Sequence, residues 1–289
     1  MPRDWDARTY DRVADPMARW GATVLDRLPL RGGERVLDAG CGSGRVTEQL
    51  AERLPAGRVI ALDGSPAMVE AARERLARFG DRIAYVVADL AAPLPIDGQV
   101  DAVLSTATFH WVPDHDALFA NLAAVTRPGG WLVAQCGGAG NIASIQRVLA
   151  TIGDGWPGAV HFETVLATTR RLHAAGYVDI ECWLTDEPTR FDPGELFETY
   201  LRTVVLGAHL ERLPASDHDA FVAAVAAGIG DPVIDYVRLN IVARRPTDEP
   251  TLPPISGIKV GVSPRRGRSI GCRGWGARRR LMRGTCRSR

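Results

Sequence analysis

The sequence predicts an α/β protein with a doubly wound, mostly parallel seven-stranded sheet and a helical insertion before the last strand. Two observations carry this prediction. Short apolar segments alternate with segments of helical periodicity over the first half of the chain, which is the pattern of βαβ units. Because such crossovers are right-handed, the helices must cover both faces of the sheet. The second observation is a glycine-rich turn directly after the first strand.

The expected strands are short apolar segments that end at an acid, a glycine or another turn residue. They span 34–39, 58–62, 82–88, 101–105, 131–136, 178–184 and 234–243. Helical spacing of apolar residues predicts helices at 45–54, 66–79, 114–125, 159–175, 193–213 and 216–229. Ser65 before Pro66, and Asp114, are typical residues for helix N-termini. The helices at 193–229 fall between the last two strands, so we expect them to form a cap over the sheet edge.

Charge divides the 289-residue chain into two unlike parts. Residues 1–247 hold 24 basic and 32 acidic residues, a net charge of −8, and we expect them to form one domain. Residues 248–289 hold 11 basic and two acidic residues without apolar periodicity, and we expect a disordered tail. The tail is either a basic arm for an acidic partner or an accidental extension from out-of-frame translation.

Composition excludes several classes of protein. No run of about 18 apolar residues predicts a membrane span, and the charged N-terminus lacks the apolar core of a secretion signal. The five cysteines form no CxxC pair and no zinc spacing, which favours a reduced cytoplasmic protein and predicts no metal. An acidic domain argues against nucleic acid as a partner.

The segment VLDAGCGSGRVT at 36–47 predicts the binding site. Gly40, Gly42 and Gly44 allow a sharp turn and a close approach of a ligand to the backbone. Their spacing is GxGxG rather than the GxGxxG of dinucleotide binders. Asp38, just before the loop, would repel a pyrophosphate and attract an ammonium group. An NAD-dependent dehydrogenase is therefore disfavoured.

Two further acids end the next two strands. Asp63 lies where an acidic residue binds ribose hydroxyls, and Asp89 is placed to accept a hydrogen bond from an adenine amino group. A ligand with an amine, a ribose and an adenine but no phosphate is S-adenosylmethionine. Three acids on successive strand ends, together with the glycine loop, predict this cofactor.

Five segments then match a known family in order along the chain. VLDAGCGSG, ALDGSPAMV, VVADL, DAVLSTATFHWVPDH and RPGGWLVAQ resemble the motifs of class I S-adenosylmethionine-dependent methyltransferases, which have a Rossmann-like fold. The resemblance covers roughly residues 5–246. Within the family, FHWVPDH, the RPGG strand and the helical insertion are similar to trans-aconitate methyltransferase and its relatives, which methylate carboxylates of small acids.

The resemblance implies residues for the methionine end of the cofactor. Asp38, Gly40 and Gly42 would face this end, and Ser105 would border the sulfonium. The segment WDARTY resembles a leading helix that closes over the cofactor, with Tyr10 pointing inward.

The resemblance also implies residues for the nucleoside. Asp63 would hold the ribose, with Gly64 and Met68 beside it, and Asp89 with Leu90 would meet the adenine.

The residues that would bind the methyl acceptor are harder to assign from the sequence. His110 could act as a base, donate to an acceptor acid or pack structurally, and Trp111 is expected in the wall of the adenine pocket. In the insertion, Tyr200, Arg202 and His209 are candidate substrate residues, since an arginine can bind a carboxylate bidentately. The alternative for each of them is a solvated helix face.

The predicted function is therefore methyl transfer to a small molecule, with O-methylation of a carboxylate as the leading interpretation. One alternative is a hydroxyl, amine or carbon of a lipid, quinone or natural product. Another is a cofactor-binding module without catalysis. The chain has no NPPY or PC dipeptide after the fourth strand, so methylation of DNA bases is disfavoured.

Overall fold

A seven-stranded sheet forms the centre of the protein, as the sequence predicts. The computed structural model describes residue 9 and residues 15–152 and 155–247. Over these residues the strands are β1 (Arg35–Ala39), β2 (Arg58–Asp63), β3 (Ile83–Val87), β4 (Val100–Thr106), β5 (Thr126–Gly137), β6 (Val178–Asp186), β7 (Thr189–Arg190), β8 (Val233–Ile234) and β9 (Val237–Arg244). The sheet has the order β3-β2-β1-β4-β5-β9-β6, and β7 pairs separately with β8.

The strand directions make the sheet mostly parallel, which confirms the predicted doubly wound fold. Strands β1 to β5 pair in parallel, and β9 runs antiparallel to both β5 and β6. The chain moves outward from β1 to β3 and then returns to β4 on the other side of β1. Such a reversal of strand order opens a crevice at the carboxyl ends of β1 and β4, where ligands bind in open α/β sheets.

Helices cover both faces of the sheet. They are α1 (Asp15–Leu25), α2 (Arg45–Arg53), α3 (Pro66–Leu76), α4 (His115–Val125), α5 (Ala143–Leu149), α6 (Val165–Ala174), α7 (Glu195–Tyr200), α8 (Gly207–Leu210) and α9 (His218–Ile229). The first three pack with Val36 and Leu104 in one buried cluster, and α4 and α6 pack with Leu37 and Val103 in another. Neighbouring strand residues thus face opposite layers, as the period of two requires.

The segment between β6 and β9 forms the predicted cap, with a core of its own. Buried residues of α7, α8 and α9, among them Phe197, Leu210 and Val225, pack with Ile145 of α5. Trp20 of α1 joins this cluster, and its ring meets that of Tyr236 edge-on with centroids 5.1 Å apart. Helix α1 therefore contacts both the sheet layer and the cap.

Several predicted boundaries need correction. The helix predicted at 159–175 begins only at Val165, because the side chain of Thr164 accepts a hydrogen bond from the Ala167 N–H at 3.1 Å. The strand predicted at 234–243 begins at Val237, because Ile234 pairs in β8 and the Asp235 carboxylate accepts from the Ser144 N–H.

The helix predicted at 193–213 is interrupted. It consists of α7, a π-helical turn at Leu201–Val205 and α8, and residues of this π turn face the cavity described below. Such π turns often occur at functional sites. The helix predicted at 216–229 begins at His218, after one 3₁₀ turn.

Two predicted helix caps are confirmed. The Ser65 side chain accepts from the Met68 N–H at 3.2 Å with Pro66 in the first turn, and the Asp114 side chain accepts from the Ala117 N–H at 2.9 Å. No helix in the described part of the chain combines the length and the apolar character that crossing a membrane requires. The predicted tail at 248–289 lies outside the described residues.

Candidate active site

The glycine loop after β1 has the backbone conformation that its spacing predicts. Gly40, Gly42 and Gly44 all have positive φ angles, of 83°, 52° and 84°. At Gly40 a side chain is excluded as well, because a Cβ there would lie 2.1 Å from Oγ1 of Thr108. The Gly40 N–H donates to the carbonyl oxygen of Leu62 at 2.7 Å, which holds the loop against the end of β2.

Asp63 connects two parts of this crevice. One carboxylate oxygen accepts from the Gly42 N–H and the other from the Ser65 N–H, each at 2.9 Å. The carboxylate therefore lies between the glycine loop and the start of α3, at the carboxyl end of β2. Asp89, after β3, accepts from the Ala91 N–H at 2.9 Å. Both acids line the cavity at the strand ends.

Asp38 lies beneath the loop and not in the described cavity wall. Its side chain is 1% exposed, and Thr47 donates to its Oδ2 at 2.7 Å. Its Oδ1 is buried and has no hydrogen-bond partner among the described residues. Burial raises the pKa of Asp38 to about 7; the Thr47 hydrogen bond lowers it, and the charge of Asp63 raises it further. A buried carboxylate of this kind favours a cation nearby.

One cavity of about 510 Å³ spans the strand ends and the cap. Most of the predicted site residues share its wall. They are Gly40, Gly42, Asp63, Gly64, Met68, Asp89, Leu90, His110, Trp111 and His209. The opposite wall comes from the loop before α6, from the π turn and from α8. The sheet and the cap therefore enclose one continuous space between them.

His110 has a defined tautomer. The Gly137 N–H donates to its Nδ1 at 3.2 Å, so the ring proton lies on Nε2. Burial, the charge of Arg238 and the neighbouring His115 hold the pKa of His110 well below its usual value. The ring stacks on Phe162 with centroids 5.8 Å apart. His110 is therefore a neutral ring in the cavity wall, with its proton on Nε2.

Arg238 is a site residue that the sequence analysis missed. It lies on β9, is 2% exposed and lines the cavity. Its guanidinium carbon lies 4.6 Å from the ring centroid of Trp20, and its Nε donates to Oε1 of Gln135 at 3.4 Å. The strand alternates polar and apolar residues, and this pattern alone could not show which face meets the cavity.

Strained backbone also occurs in this wall. Ala107 and Ile142 have φ angles of 55° and 50°, and both line the cavity. A positive φ at a β-branched residue is unfavourable and is found mostly at functional sites. The Ile142 N–H donates to the Asp235 carbonyl oxygen at 3.0 Å, which holds this turn in place. No signal in the sequence indicated either position.

Besides Asp38, three predicted residues do not line the cavity. Ser105 is 1% exposed, and its hydroxyl donates to the Ala39 carbonyl oxygen at 2.6 Å. Tyr200 is buried behind the wall, where its hydroxyl bonds to that of Tyr236. Arg202 forms an ion pair with Asp219 on the outside of the cap.

These three placements correct the corresponding predictions of direct ligand contact. Ser105 and Tyr200 lie in the layer behind the cavity, and Arg202 lies at the surface. Helical spacing in the insertion did not reveal this, because the π turn changes which residues face inward.

Two other predictions have different outcomes. His209 lines the cavity, but its Nε2 bonds to the carbonyl oxygen of Trp156 at 3.0 Å, so the ring supports that loop. Tyr10 lies outside the described residues.

Comparison with known proteins agrees with this geometry. A family described as “Methyltransferase domain” matches residues 36–130, which hold the glycine loop and the following strand ends. A trans-aconitate 2-methyltransferase of Azoarcus sp. (strain BH72) is 33% identical over 259 residues, covering 83% of this chain and 99% of that protein. One of Methylobacterium radiotolerans is 30% identical over 264 residues, covering 84% and 98%.

A solved structure shows the same fold at lower identity. It is the Haemonchus contortus phosphoethanolamine N-methyltransferase 2 in complex with phosphomonomethylethanolamine and S-adenosylhomocysteine, with a TM-score of 0.56 and 19% identity. The match covers 83% of this chain and 57% of that chain. Sequence identity over nearly the whole length of the curated relatives shows that the chain belongs to the trans-aconitate 2-methyltransferase family of S-adenosylmethionine-dependent methyltransferases.

Proposed function

We propose that this enzyme methylates a carboxylate oxygen of a small organic acid. When bound, S-adenosylmethionine supplies a methyl group on a positively charged sulfur, and a carboxylate oxygen displaces that sulfur without needing a base. The observation that carries the proposal is the tautomer of His110. Its Nε2 already bears a proton and its Nδ1 accepts from Gly137, so the ring donates a hydrogen bond and takes no proton.

The described residues fit the cofactor. The buried Oδ1 of Asp38 offers negative charge beneath the loop for the ammonium group, and the absence of a Cβ at Gly40 keeps that loop close-packed. Asp63 is held by two backbone N–H groups at the end of β2, where it would bind the ribose. Asp89 and Leu90 would meet the adenine.

On the acceptor side, we propose two donors for the carboxylate. Arg238 brings a permanent positive charge into the cavity wall, and His110 brings a neutral N–H. Hydrogen bonds from charged donors to a carboxylate are short and about twice as strong as neutral ones. Phe162, stacked on His110, excludes water from one side of this pair. The two side chains would orient one carboxylate oxygen toward the methyl group.

The remaining parts of the proposal concern partners and location. We propose a free small molecule as acceptor, not a nucleic acid, and support comes from the net charge of −8 over residues 1–247. We also propose a cytoplasmic location. The described cysteines Cys41, Cys136 and Cys182 are all free, which suits a reducing compartment.

Transfer of a labelled methyl group tests the acceptor type. The full-length protein would be incubated with methyl-labelled S-adenosylmethionine and separate panels of carboxylic acids, phenols and amines. We expect base-labile methyl esters from the acid panel. Transfer to phenols or amines alone would overturn carboxylate methylation. Tight cofactor binding without transfer to any panel or to a metabolite extract would favour a binding module.

A further inference from the structure

A tight turn after β5 carries a buried asparagine into the cavity wall. Asn141 is 3% exposed and lines the cavity. Its N–H donates to the Gly138 carbonyl oxygen at 3.0 Å, and the Gly138 N–H donates to the Val237 carbonyl oxygen at 2.9 Å. Ile142, which follows, has a φ of 50°, an unfavourable angle for a β-branched residue. The turn is therefore held against the start of β9, and it fixes where the Asn141 side chain lies.

The amide of Asn141 has a single orientation. The Val237 N–H donates to its Oδ1 at 2.9 Å, and only the oxygen of an amide can accept this bond. The nitrogen, Nδ2, lies beside Gly137, where a Cβ would be 2.9 Å from it. In the described part of the chain Nδ2 donates to no acceptor, which leaves its N–H groups for a ligand in the cavity.

Gly137 brings Asn141 together with the two donors proposed for the carboxylate. Its N–H donates to Nδ1 of His110, and it is the cross-strand partner of Arg238 in the pairing of β5 with β9. Directly opposed residues of an antiparallel pair project from the same face of the sheet. Because Gly137 has no side chain, Nδ2 of Asn141 and the ring of Phe162 occupy the space where its Cβ would point. Three side chains with hydrogen-bond donors thus surround one glycine.

Arg238 is fixed on this face by two side-chain amides. Its Nε donates to Oε1 of Gln135 at 3.4 Å, and Nε2 of Gln135 donates to Oδ1 of Asn240 at 2.8 Å. Arg27 donates to the same Oδ1 at 2.6 Å. Donors that are held in place before the ligand arrives bind it without the cost of ordering them.

We propose that Asn141 is a substrate-binding residue, an inference that rests on the carboxylate methylation proposed above. Its Nδ2 donates to a carboxylate oxygen of the acceptor acid, beside the donors of Arg238 and His110. The two oxygens of a carboxylate offer about four acceptor positions, enough for all three side chains. Asn141 thereby helps to select an acid and to hold it in one orientation.

The variant Asn141→Asp separates this role from support of the turn. An aspartate still accepts from the Val237 N–H, but an oxygen replaces Nδ2. At pH 8 this oxygen carries negative charge and repels a carboxylate. The Kd of the acid, measured by calorimetry on full-length enzyme saturated with S-adenosylhomocysteine, should rise at least tenfold, and kcat/KM should fall by at least the same factor. The Kd of S-adenosylmethionine should change less than threefold.

The probe is the acid that the unmodified enzyme esterifies fastest in a panel that includes trans-aconitate, the acid for which the curated relatives are named. Unchanged acid binding and kcat/KM in folded Asn141→Asp would overturn the inference and leave carboxylate methylation standing. A loss confined to cofactor affinity would assign Nδ2 to the cofactor and overturn it as well. If the unmodified enzyme esterifies no acid, both proposals fail.

A second variant, Asn141→Ala, removes both functions of the side chain. Its melting temperature should fall, because the Val237 N–H loses its acceptor, and its affinity for the acid should fall as in Asn141→Asp. Loss of acid binding in Asn141→Ala alone, with full binding in Asn141→Asp, would show that Asn141 only supports the turn.

A matched control separates Nδ2 from the general effect of added charge. Gln146→Glu makes the same change from amide to carboxylate at a half-buried position of α5, and Gln146 does not line the cavity among the described residues. The Kd of the acid should stay within twofold of the unmodified enzyme. A rise as large as that of Asn141→Asp would show that net charge, and not the lost donor, weakens binding.

Discussion

The backbone N–H of Gly137 donates a hydrogen bond to Nδ1 of His110 across 3.2 Å. Gly137 has room for this contact because it has no side chain: a Cβ there would lie 2.7 Å from the ring of Phe162. The bond places the ring proton on Nε2, and burial keeps the ring neutral. The backbone N–H of Gly137 thereby sets the tautomer of this histidine.

The first prediction concerns the pH profile of the reaction. At saturating cofactor and acceptor acid, kcat should stay constant between pH 8 and pH 6. The pKa of His110 lies well below 6.5, so the ring is neutral throughout this range, and a carboxylate acceptor is ionised. Initial rates of ester formation measure the profile. A fall in kcat below pH 7 that is absent in His110→Gln would show instead that His110 acts as a base.

A second variant, His110→Leu, tests the donor role, because leucine has no N–H whereas glutamine would keep an amide donor. Loss of the Nε2 hydrogen bond to a charged acceptor should lower kcat/KM for the acid about ten- to hundredfold, since such bonds contribute about 1.5–3 kcal/mol. The Kd of S-adenosylmethionine, measured by calorimetry, should change less than twofold. A large loss of cofactor affinity would move His110 into the cofactor site.

The second prediction concerns Asp38. Its pKa of about 7 in the cofactor-free protein means that the carboxylate loses its charge at acidic pH. If the ionised form attracts the ammonium group, the affinity for S-adenosylmethionine should be about tenfold weaker at pH 6 than at pH 8. Calorimetry at the two pH values measures this. In Asp38→Asn the dependence should disappear, and persistence of the full dependence would assign it to another group.

The raised pKa of Asp38 also predicts that its ionised carboxylate destabilises the folded, cofactor-free protein. Its folded-state pKa lies above the unfolded value of 3.8, so its contribution to stability is greatest below pH 3.8 and is lost as the pH rises through 7. Without cofactor, Asp38→Asn should therefore melt a few degrees higher than the unmodified protein at pH 8. The Asn carbonyl oxygen can still accept from Thr47. A lower melting temperature at pH 8 would contradict the sign of this shift.

The third prediction compares two arginines. Arg238→Gln should raise the KM for the acceptor acid at least tenfold, because the charge in the cavity wall is lost. Arg238→Lys keeps the charge but not the bidentate geometry. Its KM for the acid should therefore lie between those of the unmodified enzyme and of Arg238→Gln. Arg202→Gln breaks only the exposed pair with Asp219, and kcat/KM should stay within twofold. A large loss of kcat/KM in Arg202→Gln, with little change in Arg238→Gln, would restore Arg202 as the substrate-binding arginine.

The fourth prediction concerns the tail. A chain that ends at Thr247 retains the contacts that close the sheet, since the Gly129 N–H lies 3.1 Å from the carbonyl oxygens of both Arg245 and Pro246. We expect its melting temperature and turnover to equal those of the full chain. Thermal melts and ester formation measure both. Loss of either would show that residues 248–289 belong to the enzyme and are not a dispensable extension.

The sequence by itself determined the sheet, the loop and the acids at the strand ends. Gly40 and Asp63 were found because each follows a strand directly, and a parallel sheet brings the carboxyl ends of neighbouring strands together. The spacing of the capping residues Ser65 and Asp114 also predicted where two helices begin. The caps depend on contacts within three residues of the chain, and the loop and the acids directly follow strands that their own apolar pattern indicates.

Only the tertiary structure decided the acceptor site. Arg238 reaches the cavity because β9 inserts antiparallel between β5 and β6, which pairs it with one segment more than one hundred residues earlier and another more than fifty residues earlier. Arg202 faces away from the cavity because a π turn alters the helical period of the cap. The proton position on His110 depends on the backbone of Gly137 in another strand. Such contacts join distant parts of the chain, and local sequence patterns carry no information about them.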